Sequence, residues 1–258
     1  MNIVVTNDDG LHTPGIWTLA RALCAVGNVT VVAPDREQSG VGMGISFTRP
    51  VKVEEMVSRI EGVKALAVEG TPADAVILAV QGFSPGPVDL VVSGINEGAN
   101  IGQNVLVSGT VGACFQAHFW NIPAIAVSVA TLKGAQFDPA AQTAAQLAGL
   151  FRDGVLSGPL LLNVNLPNVP LAEIKGVSIT RLAKGKYFDT LEKVPSHKHD
   201  YYWLARGKSE WAMDEGTDAW AMKQKHISIT PLHMNLTAET NAPHLDEVLT
   251  RLRAGLQG

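Results

Sequence analysis

The stretch Ile3-Val4-Val5-Thr6-Asn7-Asp8-Asp9-Gly10 decides the fold. An apolar, β-branched run ends there in two adjacent carboxylates and a glycine, the pattern of a buried parallel strand that delivers acid to its carboxyl edge. Thr13-Pro14-Gly15, followed by Ile16, Leu19, Ala20 and Leu23, has the cap, first-turn proline and apolar spacing of a helix start. Asp8 and Asp9 therefore belong at a strand's carboxyl end, where open α/β sheets place their ligands.

Outward from that stretch, strands and helices alternate to about residue 166. Asn28 to Ala33 reads as a second buried strand, closed by the polar turn Pro34 to Gly40. Gly40, Gly42 and Gly44 then mark a loop that is either a close backbone approach or a flexible connector. Val51 to Val53 and Val63 to Val68 read as short strands. Thr71 and Pro72 open a helix through Ala79, and capping accounts for both, leaving Asp74 without chemistry.

Val88 to Ser93 is the next buried strand, running into a Gly- and Asn-rich loop over 94–104. Ser108-Gly109-Thr110-Val111-Gly112-Ala113 then begins a helix through His118, its small residues leaving the first-turn amides open to an anion. Ile122 to Val129 (strand), Pro139 to Phe151 (helix) and Leu160 to Asn165 (strand) complete the alternation. The rhythm implies an α/β fold with a doubly wound, mostly parallel sheet.

Beyond Pro170 the texture changes. Val177 to Leu182 is strand-like. Lys184 to Glu215 is polar but carries Tyr187, Tyr201, Tyr202, Trp203 and Trp211, and Ile227 to Pro231 alternates as a half-exposed strand before a final helix, Leu245 to Leu256. This divides the chain into a catalytic core over 1–183, a protruding aromatic hairpin segment over 184–226 that serves oligomerisation, and 227–258. The last part is a strand and helix that return to the core or exchange with a partner subunit.

At 258 residues and 46% hydrophobic, the chain buries a sizeable core. A formal charge of -4 gives no basic footprint, which argues against duplex nucleic acid as a partner and leaves a single nucleotide open. Cys24 and Cys114 sit in apolar runs without metal-ligand spacing and read as buried thiols in a reducing setting. The chain opens on a strand, shows no signal-peptide pattern and has no apolar stretch of bilayer length. The expectation is a cytoplasmic protein that makes no membrane contact.

Alone, Asp-Asp-Gly is as readily a turn, a helix cap or a solvated edge. Its neighbours at other strand ends change that. Asp8, Asp9, the Ser39 hydroxyl and the Asn96 amide oxygen are all hard oxygen donors, the set that Mg²⁺, Mn²⁺ or Ca²⁺ takes in preference to zinc. Adjacent carboxylates in a crevice repel unless a cation sits between them or one is protonated. A divalent ion there also binds phosphate oxygens and acidifies a water, the requirements of phosphoryl transfer to water. The helix start at Ser108, Gly109 and Thr110 supplies groups for the remaining phosphate oxygens.

Competing signatures are missing. There is no Gly-x-x-x-x-Gly-Lys-Ser/Thr, no Gly-x-Gly-x-x-Gly after the first strand and no Gly-x-Ser-x-Gly. His118, His197, His199 and His233 have no zinc spacing.

These residues resemble the SurE family of survival proteins, metal-dependent 5'/3'-nucleotidases. The resemblance runs through Val5 to Gly10, Val32 to Arg36 with Ser39-Gly40, Gly70 to Asp74, and Val92 to Asn96 with Gly98 to Asn100. It continues through Ser108 to Gly112, Tyr201 to Trp203, Gly216 to Asp218 and Ile227 to Leu232. It implies a Rossmann-like three-layer core, with Asp8, Asp9, Ser39 and Asn96 as ligands of one divalent cation per subunit, Mg²⁺ or Mn²⁺, with Ca²⁺ able to occupy the site. It places Asn96, Ser108, Gly109 and Thr110 at the phosphate and makes Asp8 and Asp9 catalytic.

The implied reaction is removal of phosphate from nucleoside 5'- and 3'-monophosphates, with short polyphosphate as a further substrate, by in-line attack of a metal-activated water. The implied assembly is a homodimer or homotetramer with exchanged C-terminal elements, and the implied setting is stationary-phase survival. Glu97 departs from the basic or neutral residue expected after Asn96. Two other readings share the crevice: a non-catalytic nucleotide sensor signalling through the C-terminal segment, and a metal-dependent transferase acting on sugar nucleotides.

Overall fold

The computed structural model describes residues 1–186, 189–195, 200–206, 210–237 and 244–256. Its main sheet has nine strands in the order β3-β4-β2-β1-β5-β6-β7-β13-β8. The strands are β1 (Asn2–Thr6), β2 (Asn28–Pro34), β3 (Val53–Met56), β4 (Lys64–Val68), β5 (Leu90–Glu97), β6 (Ala124–Ala130), β7 (Leu161–Pro167), β8 (Gly176–Ile179) and β13 (His226–Leu232). From β4 through β7 the ladder is parallel, and β3 and β13 are antiparallel to their inner neighbours β4 and β7.

Alternation along the strands builds two cores. Ile3, Val5, Val31 and Ala33 face helices α1 (Pro14–Leu23) and α4 (Phe137–Arg152), whereas Val4, Val32 and Val91 face α2 (Pro72–Leu78) and α3 (Gly109–Phe119). The fold is therefore a three-layer α/β arrangement, and strands buried on both faces are apolar throughout. Thr71 closes a capping box with Asp74, and Pro72 occupies the first turn of α2. Among the described residues no helix is long and apolar enough to cross a membrane.

The topology positions the ligand groups. β1 leads through α1 to β2 on one side, while α2 carries the chain across to β5 on the other, so the connections diverge on either side of β1. A crevice opens at such a switch point, beyond the carboxyl ends of the strands.

Three expectations need correction. The strand over 227–231, expected half-exposed, is buried from Ile227 to Thr230, because Ile227 and Ile229 join the α4-side core and the Asp218–Lys223 helix packs on the same strand. The strand ending at Ser93 continues to Glu97 as β5, after a register shift between Ser93 and Asn96 against β6. Gly94, at φ +141, makes that continuation possible, because a Cβ there would lie 2.4 Å from the Val127 carbonyl oxygen. Asn96 and Glu97 are thus held by a sheet edge and not by a loose loop. Cys24 is exposed at the end of α1, where the apolar face has already turned inward; Cys114 is buried.

The remaining elements are β9 (Gly185–Lys186), β10 (Asp189–Val194), β11 (Tyr201–Arg206), β12 (Glu210–Trp211), α5 (Asp218–Lys223) and α6 (His244–Gly255). β10 pairs with β11 and β9 with β12, both antiparallel, so the aromatic segment forms a ribbon on a short two-stranded root. Tyr187, His197 and His199 lie outside the described residues. α5 packs on β13, its Ala219 and Ala221 buried.

Candidate metal and phosphate site

A turn fixes the acidic pair. The buried Asn7 accepts from the Gly10 N–H at 3.2 Å and donates through Nδ2 to the Gly10 carbonyl at 3.0 Å and to Thr13 Oγ1 at 3.1 Å, closing the chain tightly after Asp8-Asp9. Gly10, at φ +96, lies against the Arg36 backbone, which is 3.2 Å from where its Cβ would be. The Gln38 N–H donates to the Asp8 carbonyl at 2.7 Å, so the segment carrying Ser39 is tied directly to the acidic pair.

Asp8 is only 4% exposed. Its Oδ1 accepts from Thr110 Oγ1 at 2.5 Å, and the amides of Gly109 and Thr110 at the start of α3 also stabilise the carboxylate. Burial outweighs these bonds and raises its pKa. Gly109 must be glycine for this contact, since a Cβ would sit 2.7 Å from the Asp8 Cβ.

Asp9 is partly buried, and its pKa is pushed up to about 7 by that burial first, then by the charges of Asp8, Glu37 and Glu97. The Glu97 N–H opposes the shift. Concentrated negative charge of this kind is what a divalent cation would relieve.

A cavity of about 270 Å³ opens here, lined by Asp8, Ser39, Asn96, Glu97, Asn100 and Ser108 among others. The Ser39 hydroxyl donates to Glu37 Oε1 at 2.8 Å, which leaves its oxygen lone pairs available. Asn96 Nδ2 donates to the Gly98 carbonyl at 2.7 Å, so its amide carbonyl remains as an acceptor. Among the described residues no Lys, Arg or His lines the cavity. Larger cavities, of about 480 Å³ beside the start of α4 and about 500 Å³ against β13, lack paired carboxylates.

The donors suit a hard cation: two carboxylates, a hydroxyl and an amide oxygen, with no soft ligand. Among the described residues no three His, Cys, Asp or Glu side chains stand together as a metal cluster.

Of the residues expected at a phosphate, Asn96 and Ser108 line the cavity. Gly109 and Thr110 stand behind Asp8, with the Thr110 hydroxyl spent on its carboxylate. Ser108 caps α3, its Oγ accepting from the Val111 N–H at 3.1 Å.

Sequence reading missed the fixture holding the far wall. Asn100 donates its N–H to Asn165 Oδ1 at 2.8 Å and its Nδ2 to Ser128 Oγ at 2.9 Å. Its carbonyl accepts from Asn163 Nδ2 at 2.7 Å and Asn165 Nδ2 at 3.1 Å. The available signal was two asparagines on the same face of an otherwise apolar strand, a placement that demands buried partners.

The family model described as survival protein SurE matches residues 3–189. The chain is 42% identical over 238 residues to the 5'-nucleotidase SurE of Dehalococcoides mccartyi strain CBDB1, covering 92% of this chain and 90% of that protein. It is 46% identical over 239 residues to the 5'-nucleotidase SurE of Geobacter sulfurreducens, covering 92% and 89%. The crystal structure of the SurE protein from Aquifex aeolicus matches with a TM-score of 0.79 at 35% identity, covering 98% of this chain and all of that one.

The pair Asp8-Asp9 generates a pH prediction. Asp9 titrates near 7 in the folded, metal-free protein and near 3.8 when unfolded, so folding is most favoured below the lower value and loses stability as pH rises through the upper one. In chelator, Asp9→Asn should raise the thermal midpoint at pH 8, and the gain should shrink towards pH 4. A gain that is flat across this range would contradict the shift.

Proposed function

The chain belongs to the survival protein SurE family, and on that premise we propose that it is a divalent-metal phosphomonoesterase acting on nucleoside 5'-monophosphates. The observation that carries this reading is the meeting of Asp8, Ser39 and Asn96 in a cavity without a cationic side chain, with Asp9 beside them. Among the described residues a phosphate dianion has no positive partner lining the cavity, so its binding calls for a cation.

Asp8, Asp9, Ser39 and Asn96 would hold the ion, Mg²⁺ or Mn²⁺, with Ca²⁺ able to occupy the same donors. When bound, it supplies charge to the phosphate oxygens and acidifies a water for in-line attack. The chain's own contributions are positional. Thr110 and the first-turn amides of α3 hold Asp8 in one orientation. The hydroxyl of Ser108 and the amide of Asn96 orient the phosphate at the cavity wall, Gly109 and Thr110 act through Asp8, and proton transfer falls to the two carboxylates.

The same reading extends to 3'-monophosphates and short polyphosphate as substrates and to the cytoplasm as the place of work. It includes a homodimer or homotetramer built through segment 184–226, which lies in sequence between the core over 1–183 and the closing part over 227–258. Supporting the assembly, Leu191 and Leu204 face each other across β10 and β11, with Tyr202 on the same side, and Leu204 is 81% exposed.

Asp8→Asn should reduce Mn²⁺- or Mg²⁺-dependent phosphate release from AMP and GMP by about a hundredfold or more, a loss of several kcal/mol of transition-state stabilisation. Activity at the parental level would remove the assignment. For the assembly, Leu204→Glu should convert the oligomer to a monomer in light scattering, and an unchanged mass would move the interface elsewhere.

A further inference from the structure

Gly102 is where the cavity wall meets the C-terminal third of the chain. It sits at φ +53, and its N–H donates to Asp218 Oδ2 at 2.8 Å. A Cβ there would lie 2.2 Å from the Trp211 ring and 2.7 Å from the Ala183 carbonyl oxygen. Gly185 presses on the same ring from β9, with its own Cβ position 2.3 Å away. The indole is therefore wedged between two positions that admit no side chain.

Asp218 is fully buried, and its carboxylate gathers three stretches of backbone. Besides Gly102, the N–H groups of Ala183 and Ala219 donate to Oδ1 at 2.9 and 2.8 Å. Such a carboxylate is tolerated only when fully hydrogen-bonded, and here its bonds join the cavity wall, the entry to β9 and the start of α5. Ile101, Ala183 and Ala219 form a small separate core around this point, with Trp211 packed against it.

Displacement at Gly102 has a direct route to the site. The Asn104 carbonyl accepts from the Val107 and Ser108 N–H groups at 3.2 and 3.1 Å, so the turn that begins at Gly102 leads into the cap of α3. On the other side, Asn100 is already clamped by β7. The wall is thus held at two points, one from the sheet and one from the root of the aromatic ribbon.

We propose that Asp218 and Trp211 are positioning residues for the phosphate side of the site: they latch Gly102 to the ribbon's root, and the wall carrying Asn100, Asn104 and Ser108 keeps its place only while that latch is closed. The proposal rests on the nucleotidase reading for its kinetic consequence, whereas its structural consequence stands without it. Because Asp8, Asp9 and Ser39 come from other elements and Asn96 precedes the latch, cation binding should be nearly untouched while phosphate binding weakens.

The test uses the full chain with Trp211→Ala and Asp218→Ala, and with Trp211→Phe and Asp218→Asn as milder variants. Amide hydrogen exchange over 99–108 should rise by about tenfold or more in the alanine variants, with the amides of β1 and β6 at the parental level. KM for AMP should rise about tenfold, with kcat within about threefold and the Mn²⁺ dissociation constant within about twofold. The milder variants should fall between, and they carry the same comparison if an alanine variant does not fold.

Parental exchange over 99–108 would overturn the latch. So would an equal rise across β1 and β6, or a loss of Mn²⁺ affinity matching the change in KM. A parental enzyme that releases no phosphate would instead overturn the nucleotidase reading, and the exchange data would still decide the latch.

Discussion

Buried Asp8 and partly buried Asp9 stand side by side just beyond the end of β1, and the rest of the site is built around their charge. Burial disfavours the charge of each, and the charge of Asp8 further disfavours that of Asp9. The fold offsets part of this with the Thr110 hydroxyl and the first amides of α3 on Asp8, and with the Glu97 N–H on Asp9. Glu37 and Glu97 add further negative charge. A divalent cation would relieve this charge, and in the proposed reading the neutral oxygens of Ser39 and Asn96, which line the same cavity, join the carboxylates in holding it.

Small residues make the assembly possible. Gly109 lets α3 approach Asp8, Gly10 lets the acidic turn lie on the Arg36 backbone, and Gly112 leaves room for the Gly42 carbonyl, 2.1 Å from its would-be Cβ. At Gly42 the glycine-rich loop after Ser39 is therefore in close backbone contact with α3, the first of the two readings left open for it, whereas Gly40 has open space around it. A connector of arbitrary composition would not fit.

Much of this was legible in the chain. The apolar β-branched runs, the Thr-Pro helix starts and the break after Asp8-Asp9 are local signals, and local signals suffice for a parallel sheet with helices on both faces. That Ser39 and Asn96 share a cavity with Asp8 was foreseeable because strand ends in such a sheet share one edge. What escaped depends on partners far along the chain. The extension of β5 to Glu97 follows from packing of Gly94 on Val127, and the Asn100 clamp joins residues more than sixty positions apart. Thr110 looked like a phosphate contact because a helix start with small residues is an anion seat; here Asp8 is the anion that its hydroxyl meets.

In the proposed site one divalent cation is shared by the donors of three strand ends. Anomalous diffraction from crystals of this protein grown with Mn²⁺ would locate it. One peak per chain is expected, within about 2.0–2.6 Å of oxygens from Asp8, Asp9, Ser39 and Asn96. A peak that touches neither carboxylate, or a fully loaded crystal with no peak in this crevice, would contradict it.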